Sequence, residues 1–344
     1  MKLSIVILNW NGREMLRQYL PTVLRCSKGE GTEVVVADNA STDGSVEMLR
    51  EEFPEVRLIA LDQNYGFAEG YNRAIQQVDA EYTLLLNSDV EIRQEGWTEP
   101  MVAYMDAHRE CAACQPKLRY LRHPELFEYA GGAGGFIDRY GYPFCRGRIF
   151  GTLEEDKGQY DTVVPLLWAT GAALMVRTED YRKAGGLDAR FFAHMEEIDL
   201  CWRLGMMGKT VVCIPESTAF HLGGATLTVG SPRKTLLNFR NNLLMLYKNL
   251  PDSELNSTLF ARMLLDGVAA LQFLLKFDFG NFKAVYKAHR QYRKMRPGFK
   301  ADRQRIQQMA KEAGVQRLEG RAAFSVLWQY YAKRHTLFSE LPKF

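Results

Sequence analysis

Four apolar runs in the first ninety residues each end in an amide or a carboxylate, and this coincidence restricts the fold more than any other feature of the chain. The runs are "LSIVIL" (3–8), "EVVVA" (33–37), "VRLIAL" (56–61) and "YTLLL" (82–86), followed respectively by Asn9, by Asp38 and Asn39, by Asp62 and Asn64, and by Asn87 and Asp89. The segments between them, "GREMLRQYLPTVLRC", "STDGSVEMLREEF" and "GFAEGYNRAIQQV", space their apolar residues three and four apart, the helical period. Ser41 or Thr42, with Ser45 and Glu47 close behind, supplies N-cap chemistry for the second helix. Near-continuous apolar strands alternating with helices predict a parallel sheet covered on both faces. In such sheets the ligand crevice lies beyond the carboxyl ends of the strands. One Asn or Asp after a strand is a common turn residue; four together point to a site.

Asn87 and Asp89 sharpen that expectation. An ionised carboxylate is costly to bury without a partner, and in extended chain residues i and i+2 face the same way. Both side chains can therefore reach one cation, and oxygen donors suit Mg²⁺ or Mn²⁺ bridging a carboxylate and substrate phosphates. A second cluster lies in "HMEEIDLCWR", where Glu196, Glu197 and Asp199 crowd the first turn of an expected helix. Mutual repulsion would raise at least one pKa towards that of a general base; the alternative is an acidic turn that complements the helix dipole. In "AFHLGG", His221 follows an expected short strand at 211–214 and a glycine pair comes after it; this histidine could complete a metal site.

Beyond residue 90 the pattern predicts a helix at about 94–108 and a strand near 111–120. Hairpins or a loop are expected in the glycine- and aromatic-rich "YAGGAGGFIDRYGYPFCRGRIFG", and strand-like chain at 163–177. From Leu236 onward the chain reads as helical. With 44 basic and 41 acidic residues the net charge is +3, which gives no reason to expect nucleic acid as a partner. Six scattered cysteines suggest a reduced protein, with Cys111 and Cys114 read as thiols in an apolar segment rather than a zinc pair. The opening apolar run is too short for a secretory core, and no membrane span is expected: the best stretch, 267–275, is bounded by Asp266 and Lys276. "GMMGKT" lacks the first glycine of a P-loop, and "GGAGGF" lacks dinucleotide-loop spacing. From Lys276 to Arg296 seven basic residues and one acid follow an apolar segment at 259–279. That composition reads either as an interfacial membrane helix or as a helical subdomain packed on the rest of the protein.

In order, "SIVILNWNG", "VVVADNASTDGS", "NYGFAEGYNRAI", "LLLNSDV", "GAALMVR" and "EEIDLCWR" resemble the inverting family 2 glycosyltransferases of GT-A fold, especially the rhamnosyltransferase-like branch of bacterial polysaccharide synthesis. The resemblance runs from about residue 3 to 250. It implies an α/β, Rossmann-like, mostly parallel sheet flanked by helices. A donor-binding part would occupy about 1–120, an acceptor and base part about 160–250, and a C-terminal helical appendage 251–344. Asn9, Asp38, Asn64, Asn87 and Arg240 would bind the nucleoside-diphosphate sugar, with Asn87 where many members carry the first aspartate of the metal motif. Asp89 and His221 would hold Mn²⁺ or Mg²⁺. Glu197 would be the base, with Glu196 its neighbour, and stands one methylene longer than the aspartate common at that position. Arg240 and Asn241, in "RNNLLMLYKN", would touch phosphates or acceptor. The implied donor is a nucleoside-diphosphate sugar such as dTDP-rhamnose and the acceptor a saccharide or a lipid-linked one. The implied location is the cytoplasm, with peripheral contact at the inner face of the cytoplasmic membrane. Two rivals remain at this level, a nucleotidyltransferase and a non-catalytic nucleotide-sugar binder.

Overall fold

A computed structural model describes residues 1–128, 130–223 and 230–344. Tyr129 and the second glycine after His221, Gly224, lie outside the described residues. The first ninety residues alternate as β1 (Leu3–Asn9), α1 (Arg13–Cys26), β2 (Thr32–Asp38), α2 (Ser45–Glu52), β3 (Arg57–Ala60), α3 (Gly66–Ile75) and β4 (Tyr82–Asn87). Then come β5 (Val90–Glu91), α4 (Glu99–Ala107), β6 (Cys111–Tyr120) and β7 (His123–Phe127). The glycine- and aromatic-rich stretch forms short strands, β8 (Gly135–Ile137), β9 (Pro143–Cys145), β10 (Arg148–Ile149) and β11 (Thr152–Leu153). After them run β12 (Ala173–Arg177), α5 (Thr178–Ala184), α6 (Glu196–Met206) and β13 (Thr210–His221). The helices α7 (Pro232–Asn249), α8 (Asp252–Leu275), α9 (Phe279–Met295) and α10 (Lys300–Glu312) follow.

The large sheet has the order β3-β2-β1-β4-β12-β6-β13-β5, with β7 beside β6. Its first four strands are parallel, as the apolar runs predict; β1 and β4 are buried along nearly their whole length, β2 over its second half, and the edge strand β3 only at Ile59. Beyond β4 the sheet is mixed: β12 runs antiparallel to both β4 and β6, and β13 runs parallel to β6. Only 173–177 of the strand-like 163–177 stretch enters this sheet. The remainder makes isolated bridges from Pro165 to Val212 and from Trp168 to Gly135. Gly135 has no alternative there, since a Cβ would stand 2.1 Å from the Trp168 ring. β13 is far longer than the 211–214 strand expected, and His221 is its last residue rather than a follower.

α7 to α10 are built onto the sheet rather than tethered to it. One apolar core runs from Val6 and Leu85 in the sheet through Leu243 and Leu246 of α7 to Tyr292 of α9, Phe299 in the turn that follows it and Ile306 of α10. The last residues return to the small sheet, where Phe338 packs tilted and Phe344 edge-on against Phe136 and Phe144, and the Val326 N–H donates to Asp138 Oδ2 at 2.9 Å. All six cysteines are buried free thiols.

Candidate functional site

Register brings the strand ends together. Asn9 pairs with Asp38 across β1 and β2, and Leu8 with Asn87 across β1 and β4. Asn9 Nδ2 donates to Asp38 Oδ1 (2.9 Å) and to Ser41 Oγ (3.1 Å), while Asp38 Oδ2 accepts the Ser41 N–H (2.8 Å). Buried Asn9 Oδ1 has no partner. Next along the crevice, Asn39 Nδ2 donates to Asn64 Oδ1 (3.1 Å) and to the Gly66 carbonyl (3.0 Å), and Asn39 Oδ1 accepts from Tyr65 N–H (2.9 Å). Asn64 therefore shapes the loop into α3 through Asn39.

A tighter group forms at the end of β4. β5 pairs antiparallel with β13, setting His221 opposite Val90 and so beside Asp89. His221 Nε2 lies 3.1 Å from Asp89 Oδ1 and 3.4 Å from Asn87 Nδ2, so Asn87 and Asp89 do face one partner. On the other side of the ring, His221 Nδ1 lies 3.1 Å from Glu128 Oε1. Burial alone would push the His221 pKa down, but Glu128 and Asp89 on its two flanks together carry it up to about 10. Burial likewise opposes ionisation of Asp89, and His221 more than offsets it, holding that carboxyl below its usual range. Glu128 has no motif of its own in the sequence; the fold alone brings it here.

The Gly171–Ala172 backbone links the end of β4 to Glu197. The Asn87 N–H donates to the Ala172 carbonyl at 3.0 Å, and a Cβ on the preceding Gly171 would meet Glu197 Cβ and Cγ at 3.6 Å. Glu196 and Glu197 open α6 directly after three non-glycine residues with positive φ, Phe192 (68°), His194 (71°) and Met195 (74°). Such strain persists only where surroundings over-determine it, and those surroundings are visible. Asn241 Nδ2 donates to the carbonyls of Phe191, Ala193 and His194 at 3.0, 2.9 and 2.8 Å. Arg240 donates to the Phe191 carbonyl (3.0 Å), to Asn241 Oδ1 (2.8 Å) and to Gln291 Oε1 (3.2 Å). Arg240 and Asn241, which the resemblance implied would touch phosphates or acceptor, are thus hydrogen-bonded to the loop that carries the glutamates.

The three carboxylates of the helix divide. Burial, then the Glu197 charge, raises Glu196 well above its ordinary value, so it keeps its proton. Burial raises Glu197 to about 6, tempered by backbone N–H groups at the start of α6. Asp199 does not join them. It accepts from Arg203 Nε, Lys248 Nζ and Asn249 Nδ2, each at 2.8 Å, and although burial opposes ionisation, the two cations hold its carboxyl below the usual range. The charge of Asp199 still adds to the raising of Glu196, but Asp199 itself is held ionised by its cations. Glu197 Oε2 is buried with no hydrogen-bond partner.

Gly66 ties this loop to the strand ends. Its φ is +75°, a Cβ there would stand 2.7 Å from the Phe192 ring, and the Phe67 N–H donates to the Phe192 carbonyl at 3.1 Å. Gly66→Ala should lower stability by about 1–3 kcal/mol, measured by denaturant unfolding; a loss under about 0.5 kcal/mol would show that the loop relaxes freely.

The parallel strand ends carry paired amides and carboxylates, and in open α/β sheets this is where the ligand crevice lies. Residues 4–152 match the family "Glycosyl transferase family 2". Over those residues the chain is similar to that family. It is 27% identical over 241 residues to an N-acetylglucosaminyl-diphospho-decaprenol L-rhamnosyltransferase of Mycobacterium tuberculosis, covering 64% of this chain and 75% of that one. Two solved structures share the fold. GalNAc-T7 with UDP, GalNAc and Mn²⁺ has a TM-score of 0.59 at 14% identity, over 97% of this chain and 57% of that one. A mannosyltransferase from Pyrobaculum calidifontis in complex with GDP-Man and Mn²⁺ has a TM-score of 0.53 at 15% identity, over 91% and 86%.

Proposed function

We propose that the chain transfers a sugar from a nucleoside-diphosphate donor, such as dTDP-rhamnose, to a saccharide or lipid-linked saccharide, with inversion at the anomeric carbon. The observation that carries this reading is Glu197 Oε2, buried without a partner beside the Gly171–Ala172 backbone that binds Asn87 at the end of β4. Residues 1–120 supply the donor side, through Asn9, Asp38, Asn39 and Asn87. Residues 160–250 supply the acceptor side, and 251–344 support it at the inner face of the cytoplasmic membrane, where a lipid-linked acceptor lies.

The donors at the end of β4 fit a divalent cation. Asp89 offers a carboxylate oxygen, and His221 could offer Nε2 once the ion displaces the proton that Glu128 and Asp89 favour there, with Asn87 Nδ2 3.4 Å from that nitrogen. No cluster of three or more His, Cys, Asp or Glu side chains suited to a metal occurs among the described residues, so the donor's diphosphate would complete the shell. When bound, Mn²⁺ or Mg²⁺ supplies positive charge to the departing nucleoside diphosphate. Asp89 and His221 would hold that ion, and Asn9 with Asp38 orient the nucleoside. Glu197, ionised because Glu196 keeps the pair's first proton, accepts the acceptor hydroxyl's proton at Oε2. The hydroxyl oxygen then bonds to the anomeric carbon as the bond to diphosphate breaks opposite it, and the bonding pair leaves with the diphosphate.

Asp89→Ala should abolish the Mn²⁺-dependent part of donor binding, read by titration calorimetry of UDP- or dTDP-sugars with and without the metal. Equal donor affinity in the variant, with Mn²⁺ present, would remove Asp89 from the donor site.

A further inference from the structure

α8 is amphipathic on its inner side and apolar on its outer side as well. Leu255, Thr258, Leu259, Arg262 and Asp266 are its buried residues. The opposite face carries Phe260, Leu264, Val268, Leu271 and Leu275, which are 68, 58, 66, 52 and 72% exposed, and the turn beyond adds Phe277 at 79%. These positions recur at three- and four-residue steps, one helical stripe, where a water-facing helix normally presents polar side chains. Beside it, α9 exposes Lys283, Lys287, Arg290 and Lys294, again one stripe, and Lys276 sits at the turn. None of these five cations forms an ion pair among the described residues.

We propose that this apolar stripe and the adjoining basic stripe dock the protein flat on an anionic lipid bilayer. Charge selects this occupant: unpaired cations bordering an uncharged apolar strip complement anionic headgroups around an acyl interior. A second copy meeting the same patch about a two-fold axis would bring two unneutralised basic stripes together. α8 is long and apolar enough by length and composition to cross a membrane. Its Arg262 and Asp266, however, form a buried pair that also engages Asn242 of α7 and His289 of α9, so the helix lies along the protein with one side free. The inference deepens the sugar-transfer reading by fixing which face meets the membrane, but its test needs no donor, so either can fail alone.

The test is flotation of the full chain with phosphatidylcholine vesicles, with and without about one-third phosphatidylglycerol, at about 0.1 M and 1 M salt. The protein should float with the anionic vesicles at low salt. Leu264→Ser/Val268→Ser/Leu271→Ser and, separately, Lys283→Glu/Lys287→Glu should each reduce partitioning at least about tenfold, with unchanged thermal unfolding and unchanged basal release of nucleoside diphosphate. Failure to float, equal floating on neutral vesicles, or a dimer in sedimentation that the triple variant dissolves would each overturn the proposal.

Discussion

Glu197→Gln is expected to lower kcat by about two to four decades while leaving donor affinity unchanged, because the amide keeps the size of the side chain and removes only its capacity to take a proton. The wild-type pH profile should show the same group. Burial raises the Glu197 carboxyl to about 6, and the base acts in its ionised form, so turnover should rise with pH through about 6 and then level. Glu196→Gln should cost less, since Glu196 already holds a proton. Steady-state kinetics with saturating donor, set beside calorimetric donor titration, separates the two effects. Turnover within about threefold of wild type in the amide variant, against the hundredfold or more expected of a lost base, would remove Glu197 from the mechanism.

The largest effect on stability is expected at Asp199, although it adjoins the base in sequence. Its carboxylate sits fully buried among Arg203, Lys248 and Asn249. Removing one member of a buried ionic network strands the others and typically costs about 3–5 kcal/mol. Asp199→Ala should therefore lower the unfolding free energy by about that amount, read by denaturant titration, with a loss under about 1 kcal/mol contradicting the network's role. The pH dependence has a definite sign. The folded-state pKa of Asp199 lies below its ordinary value, so its contribution is present above the unfolded-state pKa and is lost as the pH falls through the depressed one. The variant should show less acid-dependent loss of stability than the wild type.

Why Asp199 reads like its neighbours in sequence, yet acts differently, shows what the chain makes legible. Its partner Lys248 lies 49 residues away on α7, and no local spacing reports that meeting. By contrast β1, β2 and β4 are plain in the sequence, because buried strands are almost continuously apolar, and polar residues mark their ends. β13 was hidden past Ile214, where Pro215 and Glu216 interrupt the pattern at a register shift between Ile214 and Thr218. The small sheet was legible only as hairpin-forming chain, since strands of two or three residues carry no period. Glu128 reaches His221 only through tertiary folding. The strained turn before α6 was equally silent, because Phe192, His194 and Met195 adopt positive φ without a glycine to announce it.

The most direct measurement is a crystal structure of the protein with a non-hydrolysable nucleoside-diphosphate sugar and Mn²⁺. The nucleoside should lie against Asn9 and Asp38, the diphosphate at Asp89 and His221, and Glu197 across the anomeric carbon from the leaving group. A donor seated away from the ends of β1, β2 and β4, or with its diphosphate on the Glu197 side of the sugar, would contradict the account.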